Sequence, residues 1–376
     1  MFRLFEMTKI HSDNHHKNHN NIEVISNILI NRKYQRKIMK IKSVEIGKNR
    51  CFTMAEVASA HCGNIETLKK IIKNTSETSV DAIKFQILNA EKLCADENPD
   101  LPILRTIELS QEQWKEIFAY TSQFDMIVFA EVFDTESAIF AKEYVDGLSV
   151  HAADLTNPFL IEIVASANKP LMLNVGGSSI EEIRTSISFV KEHGDENNLI
   201  LMYGIQNFPT TISDINLNRI KTLEKEFPYI IGYHDHTEAT DPMSLSINLA
   251  ARAYGAKMIE KHVTDDRSKK GYDYISSLHK DELKELIFQI REFENCLGTA
   301  EISLSKADWV YRRRIKKFIV AKKDLKAGDV LTLSDLDYKR TQKEGFLPDE
   351  FNQLIGKKVA QDIKKDSLID NNSIIG

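Results

Sequence analysis

Histidines, lysines and carboxylates stand at the ends of several short apolar runs in this sequence. The clearest pair is His236 and His262, because each follows a run typical of a buried β-strand. If the two strands are neighbours in a parallel sheet, their ends lie ~4.8 Å apart, and two imidazoles can share one divalent ion with carboxylates or water. A lone histidine in such a place is more often a hydrogen-bonded core residue, but two at adjacent strand ends favour a metal site.

Two lysines fall within strand-like runs. Lys84 lies between Ile83 and Phe85, where a buried ammonium group is costly unless a carboxylate pairs with it. We interpret Lys84 as a functional group, either an anion contact or a Schiff-base former. The alternative is a lysine that extends from a strand end to water. For Lys261, which stands beside stronger candidates, we expect a structural ion pair.

Eight β-rich runs, separated by segments with helical periodicity, position these side chains. The runs are Phe52–Val57, Ala82–Gln86, Met126–Ala130, Gly147–Val150, Pro170–Asn174, Leu199–Tyr203, Tyr229–Tyr233 and Lys257–Glu260. Eight βα units in about 260 residues predict an α/β fold of the TIM-barrel type rather than an open doubly wound sheet. Catalytic groups of a TIM barrel lie at the carboxyl ends of its strands. Polar residues stand at those ends here, namely Glu56, His61, Glu131, His151, Asp154, Gln206, Asn207, His234, Asp235 and Glu260.

Local signals mark the ends of several elements. A hairpin is predicted over Met39–Asn49, with its turn around Gly47–Asn49. Asn64 is a candidate N-cap of the first barrel helix, and Ser178 with Glu181 forms a capping-box pattern before a later helix.

The chain changes character after the barrel. We expect the barrel domain to span 39–300, with a linker that includes a helix over 301–316. Residues 317–376 are predicted to form a small β-rich domain with pseudo-twofold symmetry, because Asp324–Leu331 is echoed by Asp362–Ile369. A domain of about 60 residues is marginally stable alone, so we expect it to dock on another part of the assembly.

The composition excludes several classes of protein. With 42% hydrophobic and 28% charged residues, the chain has the balance of a globular protein and not of a disordered one. Its net charge of −5 gives no reason to expect a nucleic-acid or anionic-membrane partner. The four cysteines form no CxxC pair, which fits a reduced cytosol, and no apolar run approaches the ~20 residues that span a bilayer. We therefore expect a cytoplasmic protein.

Residues 1–38 differ from the rest of the chain. They contain four histidines, six asparagines and seven Lys/Arg against three Asp/Glu, and they lack the order of a signal peptide. A histidine-rich stretch can bind metal. We favour a disordered extension, or a translation start assigned upstream of a true start at Met39.

Several segments, in order from Met39 to the end of the chain, resemble the sialic acid (nonulosonic acid) synthases. The barrel segments are Ala55-Glu56-Val57, His61-Cys62-Gly63-Asn64, Asp81-Ala-Ile-Lys84-Phe-Gln86, Asp154-Leu-Thr-Asn157, Gly232-Tyr-His-Asp-His-Thr237, Ile259-Glu-Lys-His262-Val-Thr264 and Gly271-Tyr-Asp273. The C-terminal segment with Lys339-Arg340 resembles the antifreeze-like, or SAF, domain that these enzymes carry.

The resemblance implies a transferase that condenses phosphoenolpyruvate with the open-chain aldehyde of an N-acyl hexosamine and releases phosphate. It implies a manganese or magnesium ion at His236 and His262, acting as a Lewis acid. It also implies a homodimer with swapped SAF domains, in which Arg340 reaches the active site of the partner. Four residues match catalytic positions of the family: Glu56, Lys84, Asp154 (usually Glu) and Asp273.

The chain departs from the family pattern mainly where phosphoenolpyruvate is held. The altered segments are Ala60-His61-Cys62-Gly63 for Asn-His-Asn-Gly, Ala130-Glu131-Val132 for Ser-Thr-Pro, Ser149-Val-His-Ala152 for Lys-Ile-x-Ser, Asn174-Val175-Gly176 for Ser-Thr-Gly, Tyr203-Gly-Ile205 for His-Cys-Thr, and His234 for Ser. Loss of a cation and three hydroxyls, with the gain of Glu131, is expected to weaken binding of a trianion, since charge-assisted bonds contribute ~1.5–3 kcal/mol each. The substrate-binding candidates are His61, His151, Gln206 and His234, of which His151 and His234 could supply new positive charge.

Three hypotheses about function remain open at this point. The first is a divergent nonulosonic acid synthase, and the second is a metal-dependent aldolase or lyase that uses a different donor. The third is an inactive paralogue that binds sugar or an active synthase. Retention of the two histidines with Glu56, Lys84 and Asp273 argues against the third, because a dead site has no physical reason to keep costly buried charges.

Overall fold

The structure is a computed structural model that describes residues 38–48 and 50–375. The chain divides into two compact units, and the division falls between Gly298 and Thr299. The proposed N-terminal extension and its histidine-rich stretch lie outside the described residues, apart from Ile38. Within the described part of the chain, no helix combines the length and the apolar character needed to cross a membrane.

A short hairpin covers the amino-terminal end of the barrel. Strand β1 (Met39–Ile41) pairs antiparallel with β2 (Val44–Ile46). The predicted turn around Gly47–Asn49 is wrong. The chain reverses earlier, directly after β1, where Lys42 adopts a left-handed φ of 50° that no glycine signals in the sequence. Met39, Ile41 and Ile46 are buried against the apolar residues at the bottom of the barrel.

Eight parallel strands then close into a barrel, as predicted. They are β3 (Phe52–Glu56), β4 (Ala82–Ile87), β5 (Ile127–Val132), β6 (Gly147–Val150), β7 (Leu171–Asn174), β8 (Leu199–Tyr203), β9 (Ile230–Asp235) and β10 (Met258–His262). Each strand pairs with the next along the chain, and β10 pairs with β3 to close the ring. Every observed strand begins and ends within two residues of its predicted bounds, because buried parallel strands are short apolar runs that helices separate.

Helices surround the barrel and follow its strands. The α-helices of the first unit are α1 (Ile65–Ser76), α2 (Ala90–Leu93), α3 (Leu101–Ile107), α4 (Gln111–Thr121), α5 (Thr135–Ala141), α6 (Pro158–Ser166), α7 (Ile180–His193), α8 (Asn218–Glu226), α9 (Ser244–Ala253) and α10 (Lys280–Leu297). Its 3₁₀ turns are Ala152–Asp154, Glu196–Asn198, Ile212–Asp214 and Arg267–Lys269. Asn64 caps α1 as predicted, whereas the capping box of α7 is Ser179 with Glu182, one residue after the predicted pair.

The inside of the barrel changes from apolar to polar along seven of its eight strands. Inward side chains recur every second residue of a strand. Near the amino ends these are Met54, Ala82, Phe129, Gly147, Met172, Gly232 and Met258. Two residues further along these seven strands, the inward side chains are Glu56, Lys84, Glu131, Ser149, Asn174, His234 and Glu260, whereas the inward residues of β8, Ile200 and Met202, are both apolar. The apolar layer is the floor on which a polar cavity is built.

The second unit is a small β-rich domain after one exposed helix. Helix α11 (Lys306–Ile315) precedes two strand pairs, β11 (Phe318–Ala321) with β12 (Leu336–Lys339) and β13 (Lys358–Val359) with β14 (Ile374–Ile375). The 3₁₀ turns are Leu333–Asp335, Pro348–Gln353 and Asn371–Ser373.

The two echoed segments of this domain pair with each other. Leu325 and Ile363 form an antiparallel bridge. Around the bridge, Lys326 pairs with Asp362 at 2.7 Å, and Lys364 pairs with Asp324 at 3.0 Å. These reciprocal contacts give the predicted pseudo-twofold relation.

Candidate functional site

A cavity of about 550 Å³ opens at the carboxyl ends of the barrel strands. Its polar lining residues are Glu56, Ser59, Lys84, Gln86, Asp100, Glu131, His151, Asn174, Gln206, His234, His236, Glu260, His262, Tyr272 and Asp273. One wall is apolar and includes Leu93, Ile103, Leu104, Ile107, Phe133 and Phe208. A cavity with an apolar wall and convergent polar groups is typical of a small-molecule site.

Lys84 lies at the bottom of this cavity among three carboxylates. Its Nζ is 2.7 Å from Glu56, 2.9 Å from Glu260 and 3.5 Å from Glu131. All four side chains are at most 3% exposed. We call this group the acidic floor: Glu56, Glu131 and Glu260 around Lys84.

The charges of the acidic floor depend on one another. Burial alone would lower the pKa of Lys84, but Glu131 and Glu260 outweigh it and raise that pKa. Burial would raise the pKa of Glu131, yet Lys84 lowers it overall. The pKa of Glu260 is raised, chiefly by burial and also by Glu131. The three carboxylates therefore favour the ammonium form of Lys84, which is buried and does not reach solvent. A raised pKa argues against the Schiff-base alternative, since a nucleophilic lysine requires a lowered pKa.

Polar side chains of the neighbouring strands hold Glu131 in place. Its carboxylate accepts hydrogen bonds from Gln86 at 3.0 Å, from Ser149 at 3.1 Å and from the amide of Asn174. Two acceptor atoms in the same cavity have no hydrogen-bond partner in the described structure, Oδ1 of Asn174 and Oε2 of Glu260. The bottom of the cavity thus presents two unused acceptors, one of them on the acidic floor.

His236 and His262 lie side by side, as their adjacent strand ends predicted. Their ring centroids are 4.8 Å apart. Nδ1 of His236 donates to the carbonyl of Ile205 at 2.8 Å, which leaves the lone pair of Nε2 available. Nδ1 of His262 is buried without a partner among the described residues. Burial lowers the pKa of His236 to about 4 and that of His262 well below its usual value, so both rings are neutral ligand-type imidazoles.

An ion pair behind the barrel wall fixes these two strand ends. Lys261 and Asp235 face each other in the β9–β10 register, and their charged atoms are 2.8 Å apart with both side chains fully buried. The carboxylate of Asp235 also accepts bonds from Thr237 and Asn248, and Lys261 donates to the carbonyl of Thr237. The predicted structural ion pair of Lys261 is confirmed. It positions His236 and His262, which point the other way.

Within the described ranges, no group of three or more His, Cys, Asp or Glu side chains is arranged to hold a metal ion. The pair His236 and His262 nevertheless fits an open metal site, because its rings are neutral, adjacent and only partly hydrogen-bonded. In such a site the remaining coordination positions belong to water and substrate.

His234 and Gln206 extend the polar lining next to this pair. The ring of His234 lies 5.2 Å from that of His236, and the side-chain amide of Gln206 is 3.2 Å from its Nε2. Gly204 permits this position, because a Cβ there would collide with the His234 ring and carbonyl. Burial lowers the pKa of His234 well below its usual value, so His234 does not supply the positive charge expected from the sequence.

Asp273 lies on the loop that follows β10, and it also lines the cavity. Burial raises its pKa to about 6, although a backbone hydrogen bond from Ser59 opposes the shift. Its backbone is left-handed, with φ of 59°, a conformation that Asp and Asn tolerate better than most residues. A half-buried carboxyl with a pKa near 6 is suited to exchange a proton with a substrate.

His61 and Asp154 do not line the cavity. His61 is buried edge-on against Trp114, with ring centroids 6.2 Å apart, and burial lowers its pKa to about 4. Asp154 is turned aside by the 3₁₀ turn after β6, and its carboxylate accepts a bond from Asn157 at 3.0 Å. The structure therefore places the predicted substrate-binding His61 and the predicted catalytic Asp154 outside the lining of this cavity, because their loops turn the two side chains elsewhere.

The two remaining candidates have different surroundings. His151 lines the cavity, with its ring 5.2 Å from that of Phe133. Arg340 belongs to the second unit, where it is exposed after β12 and lines a groove with residues of α11 such as Tyr311 and Arg314.

Four further residues line the cavity: Glu131, Asn174, Glu260 and Tyr272. Glu131 and Glu260 were noted as polar strand-end residues but were given no role in the site, and Asn174 and Tyr272 were not site candidates. A usable signal was present for three of them. Each of Glu131, Asn174 and Glu260 stands two residues after an apolar inward position of its strand, in the same layer as Glu56 and Lys84. The apolar wall gave no such signal.

Two family models match the chain. The model described as the NeuB family matches residues 71–302, and that of the SAF domain matches residues 316–375. An uncharacterised protein of Methanocaldococcus jannaschii is 30% identical over 90% of this chain and 99% of its own length. The N,N'-diacetyllegionaminic acid synthase of Campylobacter jejuni is 28% identical over 84% of this chain and 98% of its own.

A solved structure agrees with these relatives. The N-acetylneuraminic acid synthetase of Leptospira borgpetersenii, in complex with citrate, superposes with a TM-score of 0.69 at 26% identity, covering 74% of this chain and 98% of that one. The architecture is therefore a TIM barrel followed by a SAF domain. The chain belongs to the NeuB family, and the resemblance seen in the sequence is confirmed.

Proposed function

We propose that this chain forms a carbon–carbon bond between an enol donor and the open-chain aldehyde of an N-acyl hexosamine, which yields a nonulosonic acid or a related sugar. The observation that carries the proposal is the convergence of Lys84, Glu56, Asp273 and two neutral histidines on one cavity. Phosphoenolpyruvate is the donor that the family resemblance implies. The synthases among the relatives support this reaction class.

Different residues of the cavity are suited to substrate binding and to proton transfer. Gln206 offers amide hydrogen-bond groups next to the two histidines, and Asp273 can exchange a proton with a substrate hydroxyl because its pKa is about 6. Glu56 is held in place, since its Oε1 accepts the backbone N–H of Ala58 at 2.6 Å. Groups held in this way need little reorganisation during the reaction.

His236 and His262 would hold a divalent ion, manganese or magnesium, and such an ion would polarise the aldehyde carbonyl as a Lewis acid. The support comes from their neutral, adjacent rings and from the unpartnered Nδ1 of His262. The ion pair of Asp235 with Lys261 keeps these ligands in register whether or not an ion is bound.

The apolar wall supports an acceptor that carries an apolar substituent. Leu93, Ile103, Leu104 and Ile107 come from α2 and α3, the helices inserted between β4 and α4. The methyl group of an N-acyl substituent is small enough to pack there, and each buried CH₂-sized group contributes about 0.8 kcal/mol.

The test is product formation by the full-length protein. The chain is incubated with manganese, an N-acyl hexosamine panel and ¹³C-labelled enol donors, phosphoenolpyruvate among them, and products are identified by mass spectrometry. We expect a product that contains the carbon atoms of both donor and acceptor. Glu56→Gln is expected to abolish it, whereas Glu66→Gln, which alters an exposed carboxylate of α1, leaves it unchanged. Absence of a joined product with every donor and acceptor, from folded protein, contradicts the proposal.

We also propose that Arg340 acts from the SAF domain of a partner subunit in a homodimer. Support comes from the exposure of Arg340 and from the family resemblance. Deletion of Lys317–Gly376 is then expected to remove activity while the circular dichroism of the barrel persists. A monomeric truncation with full activity contradicts the proposal.

A further inference from the structure

The loop between β10 and α10 carries Asp273 and is hydrogen-bonded to the ends of both histidine strands. In its return segment, the N–H of Leu278 donates to the carbonyl of His262 at 2.8 Å. The carbonyl of Ile275 accepts the N–H of Ala239, which follows β9, also at 2.8 Å. The loop is therefore attached to the barrel beside both strands that end in the paired histidines.

Ser276 makes a side-chain contact between this loop and the end of β9. Its hydroxyl donates to the carbonyl of His236 at 2.6 Å, and the residue is completely buried. The same carbonyl also accepts the N–H of Thr210 at 2.9 Å. Since one donor already satisfies this carbonyl, the main effect of the Ser276 hydroxyl falls on the loop that carries it.

The same short segment also holds the backbone of Asp273. The carbonyl of Asp273 accepts the N–H of Ser276 at 3.1 Å and the hydroxyl of Ser277, which is completely buried, at 2.8 Å. Asp273 has a left-handed φ of 59°, a conformation that persists in a residue with a Cβ only where surrounding contacts hold it. Two consecutive buried serines thus connect Asp273 to His236.

The other side of the loop packs against the segment that follows β3. The backbone N–H of Ser59 is hydrogen-bonded to the carboxyl of Asp273. A Cβ at Gly271 would come within 2.8 Å of Sγ of Cys62, so the loop lies as close to this segment as a glycine allows. Movement toward β3 is blocked, and the contact of Ser276 with His236 opposes movement in the other direction.

We propose that Ser276 is a positioning residue that holds the carboxyl of Asp273 in a fixed place relative to His236, and that Ser277 assists through the Asp273 carbonyl. Ser276 does not line the cavity, so it acts only through the loop. The inference rests on the proposed function, in which Asp273 exchanges a proton with the substrate. Such a group must lie within hydrogen-bond reach of the atom it serves, and small displacements lower the rate.

The first measurement requires no substrate. The full-length protein is labelled with ¹³C at its aspartate carboxyl carbons, the signal of Asp273 is assigned with Asp273→Asn, and its pKa is followed by NMR. Burial raises this pKa to about 6 in the unaltered chain. In Ser276→Ala the loop is less firmly held and water reaches the carboxyl, so we expect the pKa to fall by roughly one unit toward its usual value.

The second measurement compares kcat with KM for a donor and an acceptor that give a joined product. We expect Ser276→Ala to lower kcat roughly tenfold and to leave the acceptor KM within about twofold, because the cavity lining is intact. The acidic limb of the kcat/KM profile should move to lower pH together with the pKa of Asp273. Bound manganese should stay normal, because Nδ1 of His236 still donates to Ile205.

Ser268→Ala is the matched control, because it removes an exposed hydroxyl, bonded to Asp266, from the same loop. It should change neither the pKa of Asp273 nor kcat. Ser277→Ala is expected to act in the same direction as Ser276→Ala, and it decides the question if Ser276→Ala does not fold. Lower stability of the folded variants with an unchanged pKa and kcat would make these bonds purely structural and overturns the inference. A fall of kcat that follows a loss of manganese overturns it too.

The NMR measurement separates this inference from the proposed function. A lowered pKa of Asp273 in Ser276→Ala, with no joined product from the unaltered chain and any donor, supports the positioning role and contradicts the bond-forming function. A joined product, with a pKa and kcat that Ser276→Ala leaves unchanged, supports the function and refutes the positioning role.

Discussion

The histidine pair and the acidic floor of the cavity differ in where their charged groups lie. At one end His236 and His262 are neutral, and the charges that hold their strands, Asp235 and Lys261, face away from the cavity. At the other end the acidic floor places its charges inside, around Lys84. Ionic groups thus lie behind the barrel wall at the two histidines and inside the cavity at the acidic floor.

This difference in charge determines which kind of group each part of the cavity can bind. Neutral imidazoles with free lone pairs accept a cation and need no counter-charge beyond water or substrate. The acidic floor instead offers carboxylate oxygens, and Oε2 of Glu260 among them has no hydrogen-bond partner in the described structure. Both sets of residues occupy inward positions near strand ends, so the side-chain types and their partners, rather than the fold, determine the chemistry.

Removal of the Lys84 ammonium group is expected to have the largest effect on the acidic floor. In Lys84→Met three buried carboxylates lose their cation, and we expect the free energy of unfolding at pH 8 to fall by about 3–5 kcal/mol. The orphaned carboxyls then have raised pKa values in the folded state. The loss is therefore largest above those values and shrinks as the pH falls toward 5, where the carboxyls take up protons.

Urea unfolding at pH 8 and pH 5 measures this effect. Lys92→Met is the control, because Lys92 forms an exposed ion pair with Glu136 that contributes less than about 1 kcal/mol. An equal loss for the two variants at both pH values would mean that Lys84 does not balance buried charge.

The histidine end is tested by its metal content. His236→Ala or His262→Ala removes one of two protein ligands, so we expect bound manganese to fall to trace levels and turnover to fall by roughly a hundredfold or more. Fold stability should change only modestly, because Asp235 and Lys261 still hold the strand ends.

Elemental analysis of each purified variant is the measurement. His151→Ala is the control, since His151 lines the same cavity next to Phe133 and should leave the metal content unchanged. Normal metal occupancy in both the His236→Ala and His262→Ala proteins would end the two-histidine proposal.

Much of the fold followed from simple periodicity. The eight strands were found because each is a short apolar run, and their closure into a barrel follows from the regular alternation with helices. The same pattern predicted that His236 and His262 lie side by side, because both end neighbouring strands. Lys84 was singled out for the physical reason that the structure bears out: a buried ammonium needs carboxylate partners.

The differences between the sequence-based expectations and the site have three separate physical causes. His61 and Asp154 stand beyond strand ends, where the loop backbone decides the direction of a side chain and strand alternation no longer applies. Glu131 was recognised only as a loss for phosphate binding, because its role as a partner of Lys84 requires knowledge of which strands are neighbours. The neutrality of His234 depends on burial, which a single sequence does not report.

Asp273, on the cavity-lining loop after β10, provides the test with the smallest expected effect. Burial raises its pKa to about 6, above the usual value near 3.8, so its charged form is disfavoured in the folded state. The folded protein therefore loses stability as the pH rises through the range from about 4 to 6. Asp273→Asn tolerates the same left-handed backbone, and we expect it to be more stable than the unaltered chain by about 1 kcal/mol at pH 7.5.

This gain should disappear below pH 4, where Asp273 is protonated in both folded and unfolded chains, and urea unfolding at several pH values will show it. The same variant should lose the acidic limb near pH 6 from the pH profile of kcat/KM, because the group that exchanges the proton is gone. Asp125→Asn, at an exposed position of the barrel, should change neither curve. A stability gain that does not vary with pH would show that Asp273 carries no buried charge. Among the described residues of the cavity, charge would then oppose folding only in the acidic floor.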